Sequence, residues 1–259
     1  MRIVLLGYGN VAQQLVRAFL QSDLVEVVQI YNRTPLSHPP ISQCTTKLSE
    51  LLPADVYIIA LPDDVIAEFS DKLPFENRFV VHTSGSVAMD QLSAKNRRGV
   101  FYPLQTFSKN RVVDLKTVPI CLEADEKKDL GILKKLGGCI SEKIVEITSE
   151  KRKKLHLAAV YLNNFTNHLY RISEEITETE SLDFDLLKPL LLETAQKMDS
   201  LSPAQAQTGP AKRKDLKTIK NHLQQLTEAQ EKEGLDPSVA QLYELFTKSI
   251  LTTYHGKKL

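Results

Sequence analysis

The chain opens with Arg2-Ile-Val-Leu-Leu-Gly7-Tyr-Gly9-Asn-Val-Ala12, a short apolar run that ends in two closely spaced glycines. The run predicts a buried strand over residues 2–6, and the residues after the turn predict a helix over 10–21. The glycines fit the pattern G-x-G-x-x-A. In that pattern the first glycine allows a tight turn, the second lets the backbone approach a pyrophosphate, and the alanine allows close helix packing. A strand before the motif and a helix after it are the context that a dinucleotide site requires.

The first ~145 residues continue this alternation of short apolar runs and helical patterns, which predicts a mostly parallel sheet with crossover helices. Further strands are predicted at 25–31, 56–60, 79–82, 99–102, 118–122 and 140–146. Further helices are predicted at 64–72, 88–94 and 125–136, the last one stopped by Gly137-Gly138.

From about Glu150 the strand pattern disappears and helical periodicity takes over. Helices are predicted at 151–177, 185–201, 215–233 and 238–251, with a turn at Thr208-Gly-Pro. The prediction is therefore an α/β chain with two domains. Residues 1–149 are expected to form a dinucleotide-binding domain with a Rossmann-type sheet, and residues 150–259 an all-α domain for substrate binding or dimerisation.

The composition excludes several classes of function. Hydrophobic residues make up 42% and charged residues 25% of the 259 residues, and the net charge is +1, so nothing favours nucleic acid or an acidic membrane as a partner. The basic run 212–220 is short and has no interleaved aromatic residues. The three cysteines lack metal-ligand spacing, and no secretory signal or membrane-length apolar stretch is present, so we expect a cytoplasmic protein without a metal site.

The cofactor site is expected at the carboxyl ends of the strands. The turn Gly7-Tyr8-Gly9-Asn10-Val11 should hold the pyrophosphate, and Leu61-Pro62, after the strand at 56–60, should line the crevice. An NAD site usually has Asp or Glu at the end of the second strand, where this chain has Asn32-Arg33-Thr34. Without the carboxylate, and with an arginine beside it, the site is expected to select NADP(H). Two alternatives stay open. The glycine turn could bind no ligand, and residues 32–34 could be only a polar loop.

Candidate catalytic residues follow the strand at 79–82 in His82-Thr-Ser84-Gly-Ser. His82 could donate a proton to a carbonyl as hydride arrives, and Ser84 could hold the carbonyl oxygen next to the nicotinamide. Equally, His82 could be a hydrogen-bonded strand end and the following residues a capping turn. Tyr102 could enter the same cleft, although an aromatic residue there more often serves packing.

The helical part supplies three further candidates. His156 and Asn163 are seven residues apart on the first long helix, hence on one face, where they could line a cleft or simply satisfy an interface. Arg213 lies in Thr208-Gly-Pro-Ala-Lys-Arg-Lys-Asp215, which could bind an anionic group of the substrate or the cofactor. Alternatively, this segment is a capped loop in which Asp215 starts the next helix.

Taken in order, these blocks resemble a Rossmann-like family whose C-terminal part is a domain of unknown function. The matching residues are Gly7-x-Gly9-x-x-Ala12, His82-Thr-Ser-Gly85, Pro103-Leu-Gln-Thr-Phe107, His156 with Asn163, and Thr208-Gly-Pro-x-x-Arg213-x-Asp215. The family is similar to pyrroline-5-carboxylate reductases and to 6-phosphogluconate and 3-hydroxyacid dehydrogenases. The resemblance implies NADP(H) as cofactor and a homodimer formed through the helical domain.

The chain departs from the family pattern at two positions, with Tyr102 where the family favours His and Lys214 where it favours Gly. The catalytic Lys-x-x-x-Asn pair of 3-hydroxyacid dehydrogenases does not transfer, because Leu157 and Ala158 follow Lys153 and Lys154 at that spacing. The leading hypothesis is an NADP(H)-dependent oxidoreductase for a small carbonyl, imine or hydroxyacid, with His82 and His156 as proton donors. In this hypothesis, the residues that orient the substrate are Ser84, Asn163 and Arg213. The alternatives are a non-catalytic NADP(H)-binding regulator and a dimeric scaffold with a vestigial nucleotide fold.

Overall fold

A computed structural model describes residues 1–109 and 111–256, and it contains one eight-stranded sheet. The strands are β1 Arg2–Leu6, β2 Glu26–Tyr31, β3 Cys44–Thr45, β4 Val56–Ile59, β5 Phe79–His82, β6 Arg97–Pro103, β7 Ile120–Ala124 and β8 Ile144–Glu146. The order across the sheet is β3-β2-β1-β4-β5-β6-β7-β8, and every neighbouring pair is parallel except the antiparallel pair β6–β7. The expected Rossmann-type, mostly parallel sheet is therefore confirmed.

Both faces of the sheet are covered, as the continuous apolar strands predicted. Ile3 and Leu5 of β1 join one buried cluster, whereas Val4 and Leu6 join the cluster on the opposite face. This alternation follows from the two-residue period of a strand. Because all four side chains are fully buried, the sheet is a rigid platform for the loops that leave its edges.

The helices that cross over the sheet are α1 Asn10–Phe19, α2 Ile66–Asp71 and α3 Lys127–Gly138. The helix predicted at 88–94 is wrong, because only a 3₁₀ turn forms at Met89–Gln91. The Ser93 backbone N–H, which a helix would direct to the Met89 carbonyl, donates instead to Ser70 Oγ at 2.9 Å, and so short a helix gains little from its own hydrogen bonds. Gly137 does not stop α3 as predicted. It lies in the last turn, where an added Cβ would come within 2.8 Å of Ile144.

The remaining helices follow in the C-terminal part: α4 Ser149–Ala159, α5 Thr166–Thr179, α6 Lys188–Gln196, α7 Pro203–Ala206, α8 Pro210–Arg213, α9 Leu216–Glu233 and α10 Ser238–His255. The expected all-α character is confirmed. The single helix predicted at 151–177 is instead two α-helices joined by a π-helical turn at Val160–Phe165. The chain divides into two compact units, Met1–Asn163 and Asn164–Leu259. Within the described residues, no helix has the length and apolarity that a membrane crossing would need.

Candidate functional site

The first glycine turn has the geometry that its sequence predicts. Gly7 has φ +102°, and a Cβ there would lie 2.6 Å from the Ala60 carbonyl oxygen, so a side chain is excluded on both counts. Gly9 precedes α1 as its N-cap, and a Cβ built on it would meet nothing within 4 Å. The backbone at the start of α1 therefore faces open space, where the free N–H groups of the helix and its dipole favour an anion.

Side chains around this turn hold it in place. Asn10 Nδ2 donates to the Phe107 carbonyl at 3.1 Å, and the Tyr8 carbonyl accepts from Gln13 Nε2 at 3.3 Å. Burial raises the pKa of the half-buried Tyr8 phenol, so the ring stays neutral. Val11 is half-buried in the first turn of α1, and Leu61 lies against Gly7 from the end of β4. Pro62 is exposed beside it.

The loop after β2 presents a free cation. The Asn32 backbone N–H donates to the Thr45 carbonyl at 3.0 Å, and its side-chain Nδ2 donates to the Thr34 carbonyl at 2.8 Å. Arg33 and Thr34 are exposed, and Arg33 forms no ion pair with any residue that the structure describes. The amide of Asn32 thus shapes the loop, and the guanidinium of Arg33 remains available to bind an anionic ligand.

His82 ends β5 and is completely buried. Its Nδ1 accepts a hydrogen bond from the Ser84 backbone N–H at 3.1 Å, and Ser84 Oγ accepts from the N–H groups of Ser86 at 3.1 Å and Val87 at 3.0 Å. Ser84 therefore caps a turn, and Ser86 Oγ adds a hydrogen bond to the Asp63 carboxylate.

Burial, followed by the nearby Arg152 charge, lowers the pKa of His82 to about 4, although Asp63 and the Ala88 carbonyl act in the opposite direction. Neutral His82 with an accepting Nδ1 carries its hydrogen on Nε2, and this nitrogen makes no hydrogen bond of ordinary geometry with any described residue. A neutral imidazole is a very weak acid. The geometry therefore supports a hydrogen-bonded strand end better than a proton donor at this position.

A second pair of polar side chains forms at the carboxyl end of β6. Tyr102 Oη and His156 Nδ1 are 3.0 Å apart, and their rings meet edge-on with centroids separated by 5.9 Å. Burial raises the pKa of Tyr102 to about 12, so its hydroxyl keeps its proton near neutral pH. A Cβ on Gly85 would lie 2.5 Å from His156 Nδ1, so the backbone of the β5 loop packs directly against this pair.

A buried ion pair anchors the helix that carries His156. Arg152, one turn earlier on α4, is fully buried and pairs with Glu123 of β7 at 2.5 Å. Its Nη2 also donates to the Val87 carbonyl and to Ser149 Oγ, and Glu123 Oε1 accepts from the Ser149 backbone N–H at 2.8 Å. These bonds tie the start of α4 to the sheet and to the loop after β5.

The remaining predicted site residues are Asn163 and Arg213. Asn163 is exposed inside the π-helical turn, whose wider winding rotates later residues, so seven-residue spacing no longer places it on the face of His156. Arg213 is exposed at the end of α8 in the other compact unit. In the same loop Asp215 caps α9 by accepting from the Thr218 N–H at 3.0 Å, as the capped-loop alternative predicted.

Sequence reasoning missed the partnership of Tyr102 with His156 and the burial of Arg152. Tyr102 and His156 are 54 positions apart in the chain, a separation that exceeds any local periodicity. Arg152 lies in a charge-rich stretch whose composition predicts a solvent-exposed segment. The feature of the sequence that could have pointed to the Tyr102–His156 contact is the departure from the family pattern at Tyr102. No group of three or more His, Cys, Asp or Glu side chains within the described ranges is arranged to hold a metal ion.

Comparison with known proteins identifies the family. Residues 118–250, slightly more than half of the chain, match the family described as Domain of unknown function (DUF2520). The chain belongs to this family. No curated protein matches this DUF2520 member.

Solved structures resemble the DUF2520 chain over nearly its whole length. A provisionally assigned NADP oxidoreductase from Bacteroides fragilis is 40% identical, with a TM-score of 0.86, covering 96% of this chain and 97% of its own. A Thermotoga maritima protein is 24% identical, with a TM-score of 0.72, covering 96% and 99%. An imine reductase from Myxococcus stipitatus in complex with NADP+ is 12% identical, with a TM-score of 0.68, covering 99% and 96%. The last two likenesses concern the fold alone.

Proposed function

We propose that this chain is an NADP(H)-dependent oxidoreductase that acts on a small carbonyl, imine or hydroxyacid. The observation that carries the proposal is that an open glycine turn and a hydrogen-bonded Tyr–His pair leave the same edge of one sheet. Gly7 follows β1, and Tyr102 lies near the end of β6, whose direction is parallel to that of β1 through β4 and β5. Ligands of open parallel sheets bind at this carboxyl edge.

The cofactor assignment rests on the fit of the residues present. The uncrowded backbone at Gly9 and the start of α1, with Tyr8, Asn10 and Val11 around them, suit a pyrophosphate. The exposed Arg33 with Thr34 suits a 2′-phosphate. Asn32 supports that loop, and Leu61 and Pro62 border the turn. The NADP oxidoreductase among the similar structures agrees with this choice.

Titration with NADPH and NADH, followed by cofactor fluorescence, tests the cofactor assignment. Arg33→Gln should weaken NADPH binding by about tenfold, the worth of one charged phosphate contact, and leave NADH binding unchanged. Lys153→Gln, which removes an exposed charge on α4, is the matched control and should change neither affinity. Equal or tighter binding of NADH than of NADPH by the unaltered protein would remove the NADP assignment.

When bound, NADPH supplies a hydride, and the protein must then provide a proton to the oxygen or nitrogen of the substrate. His156 is the better placed of the two histidines, because its Nδ1 bonds to Tyr102 and its Nε2 is left for the substrate. A tyrosine hydroxyl can either donate or accept, so the bond to Nδ1 persists whether His156 is neutral or protonated. Tyr102, with its pKa raised to about 12, orients the ring without losing its own proton.

We assign Asn163 and Arg213 to substrate orientation, since both present exposed polar groups on the helical part of the chain. Ser84 contributes through the turn that it caps, which holds Gly85 against the Tyr–His pair. We retain His82 as a structural support of this turn.

Loss of NADPH absorbance with a panel of small aldehydes, ketones and cyclic imines tests the chemistry. His156→Gln should lower kcat/KM by about a hundredfold, the usual worth of a general acid, and Tyr102→Phe by about tenfold. His82→Asn serves as the comparison and should retain most of the activity. Full activity of His156→Gln would refute its role. NADPH binding without turnover of any panel member would favour the non-catalytic regulator.

We further propose that the active form is a homodimer assembled through the helical unit. Helix α6 buries none of its residues, and large apolar side chains are widely exposed around it: Leu182, Leu186, Leu190, Leu192 and Met198. The same unit has an apolar groove of about 700 Å³. Exposed apolar area on this scale marks an interaction surface. Sedimentation of L186E/L190E should show a monomer where the unaltered chain shows a dimer.

We place this enzyme in the cytoplasm and assign it no nucleic-acid or membrane partner. The three free cysteines of the described chain suit a reducing compartment, and the net charge of +1 gives no broad attraction to polyanions.

A further inference from the structure

The sheet has a second concavity at its opposite edge, where the parallel strands begin. It encloses about 420 Å³, within the range of small-ligand clefts, and we call it the amino-edge bowl. Its floor comes from residues at the starts of four neighbouring strands: Met1 before β1, Asp55 before β4, Arg78 and Phe79 at β5, and Arg97 at β6. The wall is one face of α3, which presents Lys128, Ile132 and Lys135 at helical spacing.

Four cations and one carboxylate line the amino-edge bowl. Arg78, Lys128 and Lys135 are exposed and form no ion pair with any residue in the described ranges. The carboxylate, Asp55, already accepts the Arg2 backbone N–H at 2.7 Å. The balance of charge in the bowl is therefore positive, although the chain as a whole is nearly neutral.

The fourth cation, Arg97, is held in a fixed position. Its Nη1 pairs with Asp129, whose side chain is almost wholly buried, and its guanidinium lies over the Phe79 ring at 5.4 Å from the centroid. A third of the Arg97 side chain is nevertheless exposed, and Arg97 lines the bowl. A pre-oriented arginine with lysines beside it is the usual donor set for carboxylates and phosphates.

The cations of the bowl gather with few carboxylates to offset them. Arg97 is paired in the sheet with Phe79, and its backbone N–H donates to the Arg78 carbonyl at 2.9 Å, so both arginines reach the bowl from the starts of adjacent strands. Lys128 and Lys135 add two further positive charges from α3. Such local conflicts in an otherwise consistent sequence are expected at functional sites, where a ligand relieves them.

We propose that the amino-edge bowl binds a small polyanionic metabolite that carries two or more carboxylate or phosphate groups. The bowl is larger than a single inorganic ion requires, and its cations lie on both the floor and the wall. The site is separate from the glycine turn, because the two lie at opposite edges of the sheet. The proposal is therefore independent of the redox function.

Isothermal titration of the full chain with citrate and with inorganic pyrophosphate, at low ionic strength, tests the proposal. The two probes separate a carboxylate-bearing from a phosphate-bearing ligand, and saturable binding of either one supports the site. K128Q/K135Q should weaken that binding by at least about tenfold, whereas the charge-matched K153Q/K220Q, at exposed lysines outside the bowl, should leave it unchanged. Binding that K128Q/K135Q does not weaken would place the anion elsewhere, for example at the glycine turn, and would overturn the proposal. Absence of binding by both probes at millimolar concentration would also overturn it.

The melting temperature without anion provides a second readout. If the charges of the two lysines are not offset within the fold, K128Q/K135Q should melt at the same temperature as the unaltered chain or higher, and it should lose the stabilisation that bound anion provides. A lower melting temperature of the anion-free variant would show that the lysines stabilise the fold by themselves, and it would contradict the argument from unbalanced charge.

Discussion

The buried state of His82 makes a quantitative prediction about acid stability. Its pKa falls from 6.5 to about 4 on folding, because burial and then the Arg152 charge disfavour the imidazolium. The unfolded chain therefore takes up this proton at a higher pH than the folded chain. Stability is fully present above pH 6.5 and is lost as the pH falls from 6.5 towards 4.

The magnitude follows from the two pKa values. Each pH unit within this window costs about 1.4 kcal/mol, so His82 should remove about 2 kcal/mol between pH 7 and pH 5. His82→Asn removes the titration while its side-chain oxygen can still accept the Ser84 N–H. The variant loses packing at every pH, but that loss is constant and cancels from the slope.

Urea unfolding of both proteins at pH 7, 6 and 5 measures the effect. The unaltered protein should lose about 2 kcal/mol more free energy of unfolding than His82→Asn over this range. His38→Asn, at an exposed histidine, is the control and should retain the pH dependence of the unaltered protein.

Equal pH slopes for the unaltered protein and His82→Asn would refute the reasoning. That result would mean that His82 takes up a proton equally well in the folded state. It would then regain its candidacy as a proton donor beside His156.

Three other predictions concern packing and backbone strain. Gly85→Ala should lower both stability and turnover, because its Cβ would collide with the Tyr–His pair. Gly131→Ala, whose Cβ would meet nothing within 4 Å, should instead stabilise α3 by about 0.5–1 kcal/mol in urea unfolding. A Gly85→Ala variant that is stable and active would contradict the packing. Lys214 has a left-handed backbone with φ +56°, so Lys214→Gly should raise the melting temperature by a few degrees, about 1 kcal/mol, and a decrease would argue against strain. Arg152→Met should lower the free energy of unfolding by about 3 kcal/mol, because it leaves the Glu123 carboxylate without its cation, and R152M/E123Q should recover part of this loss. A double variant that is no more stable than the single one would show that charge pairing is not the cause.

The left-handed backbone at Lys214 explains why a glycine suits this position, and glycine is the residue that the resembled family favours there. A glycine adopts φ +56° without the clash that a Cβ introduces.

Some secondary-structure predictions failed for reasons that lie outside the local sequence. The two-residue β3 is too short to have a detectable period, and it forms because β2 offers it a free edge. The segment after Ala88 loses a helical hydrogen bond, because the Ser93 N–H donates to Ser70, 23 residues earlier in the chain. The π-helical turn at Val160–Phe165 has no composition that distinguishes it from an α-helix.

The features that could be inferred from sequence are local and repetitive. Apolar runs specified the seven longer strands, Gly7 and Gly9 specified the turn, and the loss of a carboxylate at Asn32 specified the cofactor preference that we propose, since each signal depends on near neighbours in the chain. Which polar groups meet, and which are removed from water, depends on the packing of distant segments. That packing is seen in the folded chain. It placed Tyr102 against His156 and enclosed His82 beside Arg152, because burial and long-range contacts depend on how the elements pack and leave no periodic trace in the sequence.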